Sequence, residues 1–177
     1  TSKVIPVEVP IGNGPEFRGI MNLFAKCAYI YMPGTKSGEY EEVDIPADAQ
    51  DTYDHYHQEL IEAISATDDA LLERYLEGVE IGRDEAIAGM KEAMKRGDLF
   101  PLFVVSSEKT YGISALLTEI VQLMPSAYEM EEIHAFKGAE GDKTVEIHAE
   151  DNAPFTDHVF KTTSEPHIGE VTYFRIF

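Results

Sequence analysis

Apolar and polar residues alternate at the start of the chain, and the pattern changes to a helical period after residue 47. Residues 4–11 alternate in this way and predict a strand, which Pro6 and Pro10 restrict to a sheet edge or an irregular ladder. Further short strands are predicted at 21–23, 28–32 and 40–44. Together these segments predict a small mixed sheet.

Three helices are predicted between residues 47 and 96. The first has an apolar stripe at helical spacing, formed by Tyr53, Tyr56, Leu60, Ile61 and Ile64. The second is expected to begin after Thr67, to bury residues 71, 72, 75 and 76, and to end at Gly78. The third is predicted over residues 83–96, with Gly97 as its terminator.

A strand–loop–helix unit is predicted next. The apolar run at 99–105 stops at Ser106 and Ser107, and an amphipathic helical pattern starts at Ile113. Such a loop lies at the carboxyl end of a strand, where open α/β sheets bind ligands. The two serines have neither elbow glycines nor a base nearby in sequence. The loop is therefore either an ordinary connection or one that offers backbone N–H groups to a ligand.

Residues 126–154 are predicted to be mixed, with GAEGDK as a loop. One short strand is predicted at 144–148. Residues 155–163 (FTDHVFKTT) and 169–177 (GEVTYFRIF) predict the two strands of a closing hairpin.

Composition narrows the possible functions. The net charge is −19, from 14 basic and 33 acidic residues, and this disfavours nucleic acid as a main partner. The acidic surface indicates either plain solvation or a basic partner. The single cysteine, Cys27, lies in an apolar stretch and is typical of a buried thiol in a reducing compartment. No apolar run approaches the length of a membrane span, and no phosphate loop or metal-ligand spacing is present.

Several segments resemble bacterial elongation factor G, a translational GTPase. They include the opening VIPVEVPIG with FRGIMNL, then YEEVDIPADAQ and HQELIEAISATDDALLERYLEG, and finally PFTDHVFKTTSEPHIGEVTYFRIF. The resemblance keeps the family's order and spans nearly the whole chain. It implies an α/β fold with four parts along the chain. These are a subdomain inserted in the GTPase domain, with about three helices (1–98), the last strand, guanine loop and helix of a P-loop GTPase domain (99–125), a linker (126–150) and the first hairpin of a β-barrel domain II (151–177).

The resemblance implies that Ser106, Ser107 and Glu108 form the guanine loop. In the family its backbone amides bind the guanine carbonyl oxygen and the serine side chain steadies the loop, so the Ser107 amide is the expected contact. Ser107 replaces the family's usual alanine, and the following EKTYG also differs from the family pattern, which indicates a divergent factor or paralogue rather than the main translocase. The phosphate loop, the switch regions and the guanine-specificity motif of the family are absent. The chain by itself is therefore expected neither to bind GTP tightly nor to hydrolyse it.

The family also implies the partners. GTP or GDP with magnesium would be bound by the full-length parent, and none is expected on this chain. The ribosome, and above all its stalk protein, is the implied partner, with Asp51, Asp54, Glu59 and Glu62 as the contact residues on the first helix. No metal site and no contact with DNA or a membrane is expected. The protein is expected to be monomeric and cytoplasmic.

Two alternatives stay open at this stage. The first is a stand-alone acidic α/β module that binds a protein and has no nucleotide activity. The second is another GTPase of the same class, a peptide-release or ribosomal-protection factor, although DIPAD and ERYLEG favour elongation factor G. Both ends of the chain are interpreted as internal to a longer protein.

Overall fold

The computed structural model describes residues 3–32, 38–129, 133–137, 143–148, 150 and 152–176. The chain divides into two compact units, residues 1–124 and residues 125–177. The described residues form both helices and several small sheets, which confirms the predicted α/β class. The predicted boundary at residue 98 lies inside the first unit and stays a prediction.

The first unit begins with two strands where one was predicted. Strand β1 (Val4–Pro6) and strand β2 (Glu8–Ile11) are separated by Val7. The Val7 N–H donates to the Leu102 carbonyl at 3.1 Å, and the Val7 carbonyl accepts from the Leu23 N–H at 3.0 Å. Val7 therefore forms hydrogen bonds with two different segments, and the chain passes from one sheet to the other at this residue.

A four-stranded antiparallel sheet follows. Strands β3 (Gly19–Asn22), β4 (Cys27–Tyr31) and β5 (Tyr40–Val43) continue from β2 in the order β2-β3-β4-β5. Their bounds lie within a few residues of the predicted strands.

Three helices pack with this sheet. They are α1 (Gln50–Ser65), α2 (Asp69–Leu76) and α3 (Arg83–Arg96). The Asp68 side chain caps α2 by accepting from the Leu71 N–H at 2.9 Å. Gly97 ends α3 in the left-handed conformation at φ 71°. Of the α2 residues predicted to be buried, 71, 72 and 75 are half-buried and Leu76 is exposed. Leu76 is the last helical residue and lies about 90° around the helix from the middle of the stripe that the other three form.

The hydrophobic core lies between the sheet and the helices. Its fully buried side chains include Met21, Leu23, Leu60, Ile64 and Met90, from β3, the turn after it, α1 and α3. This agrees with the apolar stripe predicted for α1, of which Tyr56 alone is only half-buried. Cys27 is buried as predicted, and burial raises the pKa of its thiol.

Strand β6 (Phe100–Leu102) and helix α4 (Ile113–Leu123) complete the first unit. The strand pairs in parallel with β1. An apolar run such as 99–105 is typical of a buried strand, but the exposed fractions of Phe100 and Leu102 are 49% and 50%. Among the described residues β6 pairs with β1 alone. Side chains on a strand face are buried by elements that pack on that face, and here these leave about half of Phe100 and Leu102 exposed.

The second unit contains two antiparallel hairpins. Strands β7 (Ile133–Lys137) and β8 (Lys143–Ile147) form one, and strands β9 (Asp157–Glu165) and β10 (Gly169–Ile176) form the other. The closing hairpin was predicted and is confirmed. Of the first hairpin only β8 was predicted.

Candidate functional site

The chain reverses direction in the loop between β6 and α4, and one antiparallel backbone bridge joins the two sides of this loop. The Ser106 N–H donates to the Tyr111 carbonyl at 2.9 Å, and the two residues form an isolated antiparallel bridge. The Ser106 Oγ accepts from the Lys109 N–H at 3.4 Å. Ser106 is half-buried, and Ser107 and Glu108 are exposed. The Ser106 hydroxyl therefore contacts the loop's own backbone, and the exposed tip presents Ser107 to the outside.

The Ser107 N–H at the loop tip is available to donate a hydrogen bond. No acceptor among the described residues pairs with the Ser107 N–H. The described part of the chain also places no histidine or carboxylate in hydrogen-bond contact with the Ser106 or Ser107 hydroxyl. An adjacent base within hydrogen-bond reach is the usual activator of a nucleophilic serine, and the described residues supply none to either hydroxyl.

A cavity of about 380 Å³ lies beside the loop. It lies between the turn at 12–14 and the loop, and its wall includes Phe17, Ser106, Lys109 and Tyr111. This volume is within the range of small-ligand sites, roughly 300–1,000 Å³. The loop therefore borders a space in which a ligand group can be accommodated.

The far end of the loop is held by aromatic residues from the four-stranded sheet and from the segment before β3. The Gly112 N–H donates to the Tyr31 hydroxyl at 2.6 Å. The Tyr111 ring stacks on Tyr31, with centroids 4.2 Å apart, and on Phe17, with centroids 5.8 Å apart. Gly112 itself has φ 73°, and a Cβ there would lie 2.1 Å from the Val104 carbonyl oxygen. The sequence-based analysis did not identify this cluster, because its hydrogen bond joins residues 81 positions apart.

The near end of the loop is held by a buried carboxyl group. The Glu8 Oε2 accepts from the Val104 N–H at 3.0 Å, and Glu8 is 1% exposed. The pKa of Glu8 is raised to about 7, chiefly by burial and to a smaller degree by the nearby Glu119, whereas the Val104 hydrogen bond opposes the rise. Strand β2 thus carries a carboxyl group that keeps its proton up to a nearly neutral pH.

A second buried carboxyl group lies on α4. The Glu119 Oε1 accepts from the Asn22 Nδ2 at 2.9 Å, and the Asn22 Oδ1 in turn accepts from two backbone N–H groups in the turn after β3. The Oε1 of Glu8 and the Oε2 of Glu119 have no hydrogen-bond partner among the described residues. The burial of Glu119 could have been predicted from helical spacing, since Glu119 lies midway between the buried Ala115 and Leu123.

The acidic residues predicted for a partner contact lie together on the exposed face of α1. Asp51, Asp54, Glu59 and Glu62 are all exposed, and at 100° per residue they span about 140° of the helix. Asp54 accepts from Gln50 at 2.8 Å, and Glu59 pairs with His55 at 3.5 Å. The opposite face of α1 is buried in the core. The arrangement forms a broad acidic surface, separate in the fold from the loop at 106–112.

Metal-binding clusters and membrane-spanning helices are not found in the described ranges. No group of three or more histidine, cysteine, aspartate or glutamate side chains there is close enough to hold an ion. In the same ranges, every helix falls short of the length and apolarity that crossing a bilayer requires.

Comparison with known proteins gives a structural match. No protein-family model matches the chain. Among solved structures, the crystal structure of ttk003000868 from Thermus thermophilus is similar, with a TM-score of 0.68 and 28% sequence identity. The match covers 98% of this chain and 23% of that chain, so this chain spans less than a quarter of the length of the protein it matches.

Proposed function

We propose that this chain is part of an elongation-factor-G-like translational GTPase and supplies the guanine-reading loop of its nucleotide site. The observation that carries the proposal is the loop after β6. It follows a parallel strand, exposes Ser107 at its tip, and contains a serine whose hydroxyl contacts its own backbone. Such a loop recognises a ligand through main-chain donors, which suits a carbonyl oxygen on a base.

Exposed apolar side chains on β6 and α4 support the proposal that this chain is one part of a larger GTPase domain. Phe100 and Leu102 on β6 are half exposed, and on α4 the exposed fraction of Val121 is 81%. An apolar parallel strand is ordinarily covered on both faces and paired at both edges. Further parallel strands and helices of the same domain would cover these residues. The similar Thermus chain, of which the matched region is 23%, agrees with this.

In the full-length protein, GTP hydrolysis would drive a conformational change on the ribosome. This chain contributes no catalytic side chain. Its loop would bind the guanine through the Ser107 amide, and magnesium and the phosphates would be held by segments outside it. The acidic face of α1 would contact the ribosomal stalk protein, since four exposed carboxylates favour encounter with a basic partner.

A pair of substitutions at Ser107 tests the proposed loop function. Ser107→Pro removes the N–H, whereas Ser107→Ala removes the hydroxyl and keeps the N–H. In the full-length protein, Ser107→Pro should raise the Kd for GDP by roughly tenfold or more, and Ser107→Ala should leave it within about twofold, given the cost of an unpaired base carbonyl. Thermal unfolding of both variants controls for disruption of the fold. Equal GDP affinity in the two folded variants would contradict the amide contact.

The absence of guanine-nucleotide binding in the unsubstituted full-length protein would contradict the whole proposal. The exposed acidic face of α1 would then favour the second candidate, an acidic protein-binding module without nucleotide activity.

A further inference from the structure

The guanine-loop segment has little support of its own. Within residues 106–111 the described hydrogen bonds are the bridge between Ser106 and Tyr111, the bond from the Lys109 N–H to the Ser106 Oγ, and the bond from the Thr110 hydroxyl to the Lys109 carbonyl. Thr110 has φ 57°, the left-handed region that a β-branched residue rarely adopts. A loop with so few bonds keeps one conformation only if neighbouring elements hold it.

The neighbour that holds it is β4. The Gly112 N–H is buried and must find an acceptor, and the Tyr31 hydroxyl provides it at 2.6 Å. Gly112 also starts α4, and its left-handed backbone passes so close to Val104 that no side chain fits. The phenol oxygen of Tyr31 thus fixes the point at which the loop becomes a helix.

The ring of Tyr31 adds a second constraint on the same loop. It stacks on Tyr111 with centroids 4.2 Å apart and an interplanar angle of 28°. Phe17 stacks on both rings, at 6.2 Å from Tyr31 and 5.8 Å from Tyr111. Because Tyr111 is also the bridge partner of Ser106, its ring position determines where the loop tip lies.

We propose that Tyr31 is a positioning residue for the guanine loop, so that the four-stranded sheet sets the affinity of the nucleotide site. The nucleotide part of this inference rests on the proposed function, and the structural part does not. Tyr31 contacts no nucleotide in this account. It acts through Gly112 and Tyr111, and its loss would release the loop without altering the groups that bind the ligand.

Two variants separate this role from general stability. Tyr31→Phe removes the acceptor for Gly112 and keeps the ring. Tyr53→Phe is the matched control, since the Tyr53 hydroxyl also makes a buried hydrogen bond to the backbone, to the Leu23 carbonyl at 3.3 Å, but on α1 and away from the loop. Phe17→Leu is a further variant that removes a stacking partner and retains the Tyr31 hydroxyl.

Amide hydrogen exchange in the 177-residue chain tests the structural part. Tyr31→Phe should speed exchange of the Gly112 amide about fivefold, the equivalent of one ordinary hydrogen bond, and Phe17→Leu should speed it less. Tyr53→Phe should leave Gly112 unchanged relative to the slowest-exchanging core amides. An unchanged Gly112 rate in Tyr31→Phe would overturn the proposal.

GTPase kinetics in the full-length protein test the functional part. Tyr31→Phe should raise KM for GTP by a similar factor and leave kcat at saturating GTP unaltered, and Tyr53→Phe should change neither. Faster Gly112 exchange with an unchanged KM would overturn the link between Tyr31 and nucleotide affinity. If the unsubstituted protein binds no guanine nucleotide, the proposed function fails, and hydrogen exchange alone then decides whether Tyr31 positions the loop.

Discussion

Replacing Glu8 by glutamine should change how the stability of the first unit depends on pH. The Glu8 carboxyl group is buried on β2, near Glu119, and its pKa is raised to about 7. In the unfolded chain its pKa returns to the ordinary value of 4.5. The folded state thus binds the Glu8 proton more tightly than the unfolded state does. Its contribution to stability is fully present below pH 4.5, declines as the pH rises toward 7, and stays low above that.

The magnitude follows from the two pKa values. Each pH unit between them corresponds to about 1.36 kcal/mol, so ionising Glu8 costs the folded state about 3 kcal/mol by roughly pH 8. Glutamine resembles the protonated carboxyl group and cannot ionise. Glu8→Gln should therefore match the unsubstituted chain near pH 4.5 and exceed its free energy of unfolding by about 3 kcal/mol at roughly pH 8.

Urea unfolding followed by circular dichroism, at steps of about half a unit from roughly pH 4.5 to 8.5, measures this difference. Burial lowers the pKa of His57, which gives the opposite pH trend, but that contribution is common to both proteins and cancels in the comparison. Glu59→Gln, at an exposed position on α1, controls for the loss of one negative charge. If the difference between Glu8→Gln and the unsubstituted chain is the same at acidic and at mildly basic pH, the account of Glu8 is wrong.

Three further predictions concern the loop, a helix cap and the acidic face. Gly112→Ala should destabilise the first unit by more than about 2 kcal/mol in urea unfolding, because the added Cβ would overlap a backbone carbonyl at a φ of 73°. Gly78→Ala is the control and should cost less, since Gly78 has a similar φ but lies in open space. Asp68→Ala should cost about 1 kcal/mol by removing the cap of α2, and Asp68→Asn should restore most of it. Reversing the charge of Glu59 and Glu62 should slow stalk-dependent stimulation of GTP hydrolysis most at low salt, and an equal rate and salt dependence would exclude α1 as the contact surface.

Local patterns predicted much of the fold. The third helix was predicted at its observed bounds of 83–96, since an apolar stripe and a terminal glycine both lie within one short segment. The closing hairpin was equally readable from two alternating runs around a turn. The break at Val7 was missed, because alternation continues through it and only the distant partners Leu23 and Leu102 reveal the change of sheet.

The site was less predictable than the fold. The sequence identified the loop at Ser106 and Ser107, and the acidic face of α1, from residues that are close together in the chain. It did not reveal Tyr31, whose hydrogen bond to the loop joins residues 81 positions apart. Glu8 was missed for a related reason, since a polar residue in an alternating strand predicts a solvent-facing side chain. Here both faces of β2 are covered at that point, so the carboxyl group is buried.

The central claim is that this chain reads guanine within a ribosome-dependent GTPase. GTP hydrolysis by the full-length protein, measured with and without ribosomes, tests that claim most directly. The account predicts slow hydrolysis of GTP alone, strong stimulation by ribosomes, and no hydrolysis of ATP under the same conditions. Equal rates with and without ribosomes, or equal use of ATP and GTP, would contradict it.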